Sequence, residues 1–198
     1  MIDGYRIDSN GLLIDCSDSV VLVDTCWNDK KTRTLLQSAR DLFHKPIVLA
    51  IITHAHSDRI GGIRELLSAG IRVVSTTLIA KDAADAGFPA PTNDLDPTTT
   101  ELRIGGVRLV TYYPGPGHTK GNIVVWIPKD LVLFGGCLIK SRISGNLGNI
   151  ADADLKAWGP SVQNLKERYP DAMVVVPGHG QVGGFELLQH AINLCPKN

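Results

Sequence analysis

Residues 51–62 read "IITHAHSDRIGG", which places His54, His56 and Asp58 at alternate positions after an apolar run and just before two glycines. Three more residues of ligand type stand beside glycines where apolar runs end: His118 in "PGPGHTKGN", Cys137 in "LFGGCLIKS" and His179 in "VVVPGHGQV". Taken singly, a histidine is as well explained by a satisfied core or surface position, and His44 and His190, which fall in expected helices, are left there. The alternation at 54, 56 and 58 is different. In an extended segment these side chains share one face, and a turn would divide them between adjacent metal ions. Glycine beside each donor permits tight turns and close backbone approach. Imidazole and thiolate suit zinc, at about 2.0–2.1 Å for nitrogen and about 2.3 Å for sulfur. Six donors divide into two groups of three, each with a position left open, and open sites are catalytic rather than structural. A pair of metals roughly 3.5–4 Å apart can hold a bridging hydroxide at neutral pH and polarise a carbonyl.

The elements that must carry these donors read as an α/β pattern. "LLIDC" and "VVLVD" are expected to pair as strands, and residues 29–43 to form a helix capped by Asn28, with Leu35, Leu36, Ala39, Leu42 and Phe43 on one face. "IVLAII" reads as a buried strand that runs into the histidine stretch. A short helix follows with Ile63, Leu66 and Leu67 inward and Gly70 as its stop, then a strand "IRVVST" and a helix over 77–86 closed by Gly87. "FPAPTNDLDPTTT" is expected to be the one long loop. In the second half "NIVVWIP" and "LVLFGGC" read as a hairpin around Lys129 and Asp130. A helix near 154–168 is expected to bury Leu155, Trp158, Val162 and Leu165, and "AMVVVPGHG" is a strand ending in a histidine loop. Each half therefore reads hairpin, helix, strand, ligand loop, which implies two similar layers whose loops meet at one edge.

Composition narrows the partners. The 198 residues fit one domain with a real core. Lys plus Arg equals Asp plus Glu at 20 each, so nothing favours nucleic acid or an anionic membrane. No apolar stretch approaches the roughly 20 residues of a membrane span, and the start, "MIDGYRIDSNG", has no signal-peptide pattern. The four cysteines, 16, 26, 137 and 195, form no CxxC arrangement. Cys16 and Cys26 fall at opposite ends of a strand, on the order of 20 Å apart and well beyond disulfide reach. Thiols are expected rather than a disulfide framework.

In combination, "THAHSDRIGG", "PGHTKGNIVVW", "GGCLIKS", "LGNIADA" and "VVPGHG" resemble the class B metallo-β-lactamases, the subclass with a three-histidine zinc site beside an Asp-Cys-His zinc site. The resemblance runs from about residue 8 to the C-terminal helix. It implies a four-layer αββα sandwich, two Zn2+ per chain and hydrolysis of the β-lactam amide by a hydroxide bridging the metals. His54, His56 and His118 would bind the first zinc, and Asp58, Cys137 and His179 the second. Asp58 would also orient the hydroxide. Lys140 matches the lysine that pairs with the substrate carboxylate, Asn149 the asparagine near the carbonyl oxygen, Asp24 an acid that orients a metal ligand, and Trp27 an aromatic flanking the metals. Relatives acting on lactones, thioesters or phosphodiesters carry histidine where Arg59 stands and a bridging aspartate where Cys137 stands, so those two positions argue for the lactamase. The resemblance further implies a periplasmic monomer that inactivates a small-molecule antibiotic, with no nucleic acid or membrane partner. The family usually has two strands and a substrate flap before "SNGLLID", where this chain has about eight residues. A weakly active zinc-binding scaffold is the alternative that this short start raises, together with an unpaired strand edge near Leu12 to Ile14.

Overall fold

In the computed structural model residues 8–196 are described. Along the chain they form β1 (Leu12–Asp15), β2 (Val20–Val23), α1 (Asp29–Phe43), β3 (Ile47–Ile51), α2 (Ser57–Ile60), α3 (Ile63–Ser68), β4 (Arg72–Val74) and α4 (Thr77–Asp85). The second half contributes β5 (Thr99–Ile104), β6 (Val107–Tyr112), β7 (Val124–Ile127), β8 (Val132–Gly136), α5 (Leu155–Arg168), β9 (Val174–Pro177) and α6 (Glu186–Leu194). Two sheets result, ordered β1-β2-β3-β4 and β5-β6-β7-β8-β9.

Side-chain alternation assigns the layers. On β6 and β7, Leu109 and Val125 turn into the core shared with the first sheet, while Val110, Val124 and Trp126 turn the other way. That outer face is covered by Trp158, Val162 and Leu165 of α5 and by Leu187, Leu188 and Ala191 of α6. Leu36 of α1, with Ile63 and Leu66 of α3, joins the core of the first sheet. Helices, sheet, sheet, helices is the expected four-layer order.

The internal repeat is visible in the pairing. β1 and β2 are antiparallel, α1 follows, and β3 returns parallel to β2. β7 and β8 are antiparallel, α5 follows, and β9 returns parallel to β8. The ligand loops leave β3 and β9 at equivalent points.

Several expectations are corrected. Leu42 is 71% exposed and Leu67 45% exposed. Leu42 stands seven residues after the half-buried Leu35, on the border of the helix stripe, and α3 is too short to bury more than its i, i+3 pair of Ile63 and Leu66. Leu155 opens α5 only partly buried. His44 is not inside a helix but caps α1 with φ of 53°. Asn28 does cap α1, its side chain accepting from Lys31 N. The long loop ends at residue 98, because Thr99 and Thr100 already belong to β5. The β5–β6 hairpin went unforeseen; it turns on Gly105 and Gly106, both at positive φ. β1 is the outer strand of its sheet, with Leu12 and Leu13 half-buried and Ile14 buried, and the chain before residue 8 lies outside the described residues. All four cysteines are free thiols.

Candidate metal centre

β3 ends at Ile51 and delivers His54, His56 and Asp58 on the segment that runs into α2. His118 precedes β7, Cys137 follows β8 and His179 follows β9. Since β7 runs antiparallel to β8 and β9 parallel to it, the start of β7 and the ends of β8 and β9 lie at one edge. Ile123 N donates to Thr53 O at 3.0 Å and ties that edge to the His54 loop.

Six donors meet there in two adjoining groups. The rings of His54, His56 and His118 stand 4.8 Å apart pairwise with interplanar angles of 83–90°, a three-bladed arrangement around a shared point. His56 Nδ1 is 3.0 Å from His118 Nε2, and His54 Nε2 is buried with no hydrogen-bond partner. In the second group Cys137 Sγ is 3.4 Å from both Asp58 Oδ2 and His179 Nε2, and those two atoms are 3.1 Å apart. Tetrahedral zinc at the usual bond lengths would space two nitrogens by about 3.3 Å and a sulfur and an oxygen by about 3.6 Å. The triads therefore fit a metal with small adjustments. Donors of the two groups also approach each other, since His54, His118 and Cys137 lie within 4.8 Å, as do His54, His56 and Asp58.

Electrostatics separate the two groups. Burial holds the His54 imidazole well below its ordinary pKa, and burial with the nearby Lys140 charge lowers His118 to about 3. Both rings are neutral at pH 7 and ready to coordinate. Burial alone would lower His179, but the Asp58 carboxylate and Cys137 sulfur raise it to about 9. Burial alone would raise Asp58, yet His179 and Arg59 hold it far below the usual carboxylate range.

Support comes from behind each triad. Arg59 is fully buried; one terminal nitrogen donates to Cys137 Sγ at 3.0 Å and to Gly178 O at 2.6 Å, and the other to Asn10 O. Its Nε lies 3.0 Å from Asp58 Oδ2, near enough for an ion pair though not aligned as a hydrogen bond. Asp24, at φ of 62°, accepts from Thr53 N at 2.8 Å and Thr53 Oγ1 at 2.7 Å, and lies 3.6 Å from Arg59. Among the described residues it makes no hydrogen bond to a ligand side chain; its partners are Thr53, next to His54, and Arg59. Burial pushes its carboxyl up to about 7 against the pull of Arg59.

A cavity of about 1030 Å³ opens over the donors. Trp27, Phe88 and Ile143 give it apolar wall, and Lys140, Asn149, Asp58 and His179 give it polar wall. The Trp27 ring centroid is 6.4 Å from that of His179. Burial lowers the Lys140 ammonium pKa. Asn149 is exposed, and its Oδ1 accepts from Ala151 N at 3.1 Å.

A family model described as the metallo-beta-lactamase superfamily matches residues 4–179. The chain is 46% identical over 192 residues to the metallo-beta-lactamase type 2 of Bacillus sp. (strain 170), covering 97% of this chain and 74% of that one. The chain belongs to the metallo-beta-lactamase superfamily. The type 2 enzyme of Bacteroides fragilis is 36% identical over 96% of this chain and 76% of its own. Among solved metallo-beta-lactamases, that of Pontibacter korlensis superposes with a TM-score of 0.91 at 42% identity, covering 94% of this chain and 86% of that one. FIM-1 from Pseudomonas aeruginosa, solved in a mono-zinc form, gives 0.89 at 38% identity over 95% and 83%. Membership of this superfamily makes the chain a hydrolytic enzyme with a metal-binding centre. Among the described residues no helix is long and apolar enough to cross a membrane.

Sequence reasoning missed four supports of this metallo-beta-lactamase centre. Asp152 Oδ2 is 2.8 Å from His56 Nε2, fixing that ring's proton outward so that Nδ1 faces the other histidines. Asp8 O is 3.0 Å from His179 Nδ1 and does the same for His179. The Asn10 side chain donates to Pro177 O and Gly180 O at 2.9 and 2.8 Å and brackets the His179 loop. Trp158, foreseen only as core, meets His118 edge to face at 5.6 Å. Nothing in their residue types marks Asp8, Asn10 or Asp152, since each sits in a polar stretch with no periodicity. His44 and His190 lie apart; His190 Nε2 is 3.0 Å from Ser144 O.

Proposed function

We propose that this chain is a two-zinc enzyme that hydrolyses the amide of β-lactam antibiotics. One observation carries it: a cluster of three histidines adjoins a cluster of Asp58, Cys137 and His179, and five of these six donors, all but the buried His54, line one cavity together with Lys140. His54, His56 and His118 would hold one ion, and Asp58, Cys137 and His179 the other. Zinc bound there supplies a strong nucleophile from water at neutral pH and polarises the lactam carbonyl. Asp58, kept ionised by His179 and Arg59, orients the attacking water. Lys140 pairs with the substrate carboxylate, and Asn149 directs its amide nitrogen toward the carbonyl oxygen. Trp27, Phe88 and Ile143 take the apolar part of the substrate and exclude water. Positioning of this kind needs no covalent enzyme intermediate. Arg59, buried beneath Asp58 and Cys137, supports the lactamase over hydrolases with other ligand sets. Because one chain supplies both triads, a monomer suffices, and the family resemblance implies a periplasmic setting.

The purified protein should open a chromogenic cephalosporin, lose that activity on dialysis against a chelator and regain it with zinc. A preparation carrying two zinc ions per chain that leaves the ring intact defeats the reading. Lys140→Ala should raise KM more than it lowers kcat. A charge-assisted contact is worth about 1.5–3 kcal/mol, so kcat/KM should drop roughly ten- to a hundredfold.

A further inference from the structure

We infer that Trp158 is a positioning residue that fixes His118 and Lys140 relative to each other across the cavity floor. The inference rests on the β-lactam reading for the partner of Lys140. Trp158 has no exposed surface and sits in α5, an element that itself bears no donor. An indole needed only for packing would meet apolar neighbours. This one makes three contacts of a different kind. Its edge meets the His118 ring at 5.6 Å and an angle of 66°. Its Nε1 donates to Leu138 O at 2.8 Å, within the short run that links Cys137 to Lys140. Its face lies 5.1 Å from Lys140 Nζ.

The last contact carries the argument. Lys140 is 9% exposed, and among the described residues it forms no hydrogen bond and no ion pair with a carboxylate. The stem of Lys140 is buried and its ammonium reaches the cavity without such a partner; the negative face of an indole within about 6 Å is the group that stabilises this partly desolvated charge without neutralising it. The charge stays available to a carboxylate entering the cavity. The loop that bears His118 is equally committed to α5: Asp154 N donates to Gly117 O at 2.9 Å, and a Cβ on Gly117 would come within 2.3 Å of Leu138 Cδ1 and 3.4 Å of Trp158 Cγ. The 117–118 and 137–140 segments thus share one rigid support.

The test uses the zinc-loaded full chain with Trp158→Phe and Trp158→Leu, each alone and combined with Lys140→Ala. KM and kcat are measured for a cephalosporin with a free carboxylate and for its methyl ester, and zinc retention is measured by competition with a chromophoric chelator. Trp158→Leu should raise KM for the free acid about tenfold, change kcat less and leave the ester nearly unaffected. With Lys140 already replaced by Ala the increment should vanish. Trp158→Phe keeps a ring face and should give only a two- to threefold rise, again confined to the acid; if the Leu variant does not fold, this contrast decides. Zinc should leave the three-histidine site of Trp158→Leu more readily than that of Trp158→Phe. Equal losses for acid and ester, or the same increment without Lys140, would make Trp158 ordinary core and overturn the inference. If the wild type opens neither substrate, the β-lactam reading falls by itself; zinc competition then judges the His118 half, and equal retention in both variants overturns it.

Discussion

His54 and His118 meet as neutral, buried rings beside His56, whereas Asp58, Cys137 and His179 meet as a charged cluster around a buried guanidinium. The first triad is held by packing and by two outside contacts, Asp152 on His56 and Trp158 on His118. The second is held by Arg59 and by residues 8–10, which lie along the 177–180 loop. Neutral donors need only burial to be ready for a metal. The Asp58 carboxylate and the protonated His179 imidazole hold one another in place, and His179 must give up a proton when an ion arrives. Two adjoining positions in one cavity therefore follow different rules, and each can be disturbed while the other is left intact.

The largest effect should come from the charged triad. Cys137→Ser replaces a thiolate with a poor zinc donor and also leaves the Arg59 guanidinium without its sulfur partner. After exhaustive dialysis the variant should retain about one zinc where the wild type retains two, and turnover should fall by about a hundredfold or more. Cys16→Ser and Cys195→Ser should do neither. Zinc counts and cephalosporin turnover on the same samples decide the matter, and loss of both ions together would show that the triads are not separable.

A smaller pair of changes sharpens the contrast. Asp152→Asn removes the negative charge facing the outward nitrogen of His56, and Asn10→Ala removes both side-chain bonds that bracket the His179 loop. Outer partners of this kind are worth about 10- to 100-fold in metal affinity. Asp152→Asn should weaken the three-histidine site, and Asn10→Ala the other. Substitution with cobalt separates them, because only the second site carries a sulfur-to-metal absorption band. A band weakened by Asp152→Asn and untouched by Asn10→Ala would reverse the assignment.

The donors were legible in the sequence because their chemistry is rare and their spacing is tight: His54, His56 and Asp58 alternate, and His118, Cys137 and His179 each close an apolar run beside glycine. The repeat of hairpin, helix and strand could be read from hydrophobic pattern in both halves. The β5–β6 hairpin was lost because "TTELRI" alternates weakly and only one side of it faces a core. The contacts that prepare the donors could not be read at all. Asp8 acts through a backbone carbonyl, 171 residues away in sequence from His179. Asn10 and Asp152 act over separations of 167 and 96 residues that only the folded chain closes. The Lys140–Trp158 contact likewise joins residues that fell into separate categories, a charged loop residue and a core aromatic.

The smallest effect concerns the metal-free protein, where the two triads should leave opposite marks on stability. His118 is depressed to about 3, below the ordinary value of 6.5, so its contribution is present above pH 6.5 and is lost as pH falls toward 3. His179 is raised to about 9, so its contribution is complete below pH 6.5 and is lost as pH rises through 9. The melting temperature of the zinc-free chain should therefore peak near neutrality and decline on both sides. Ordinary carboxylates add to the acid limb, and Asp24, raised to about 7, loses its own contribution as pH rises from about 4 through 7. Between pH 7 and 9 His179 carries most of the further decline, which should be about 5–10 °C. His179→Ala should flatten this alkaline limb and leave the acid limb as it was. Zinc should flatten the alkaline limb of the wild type too, because a coordinated imidazole has already given up the proton at its ligating nitrogen. Scanning calorimetry of the three samples across that range measures the effect directly. An alkaline limb that survives in His179→Ala would mean that Asp58 does not hold a proton on His179, and the charged half of the contrast would have to be redrawn around Arg59 alone.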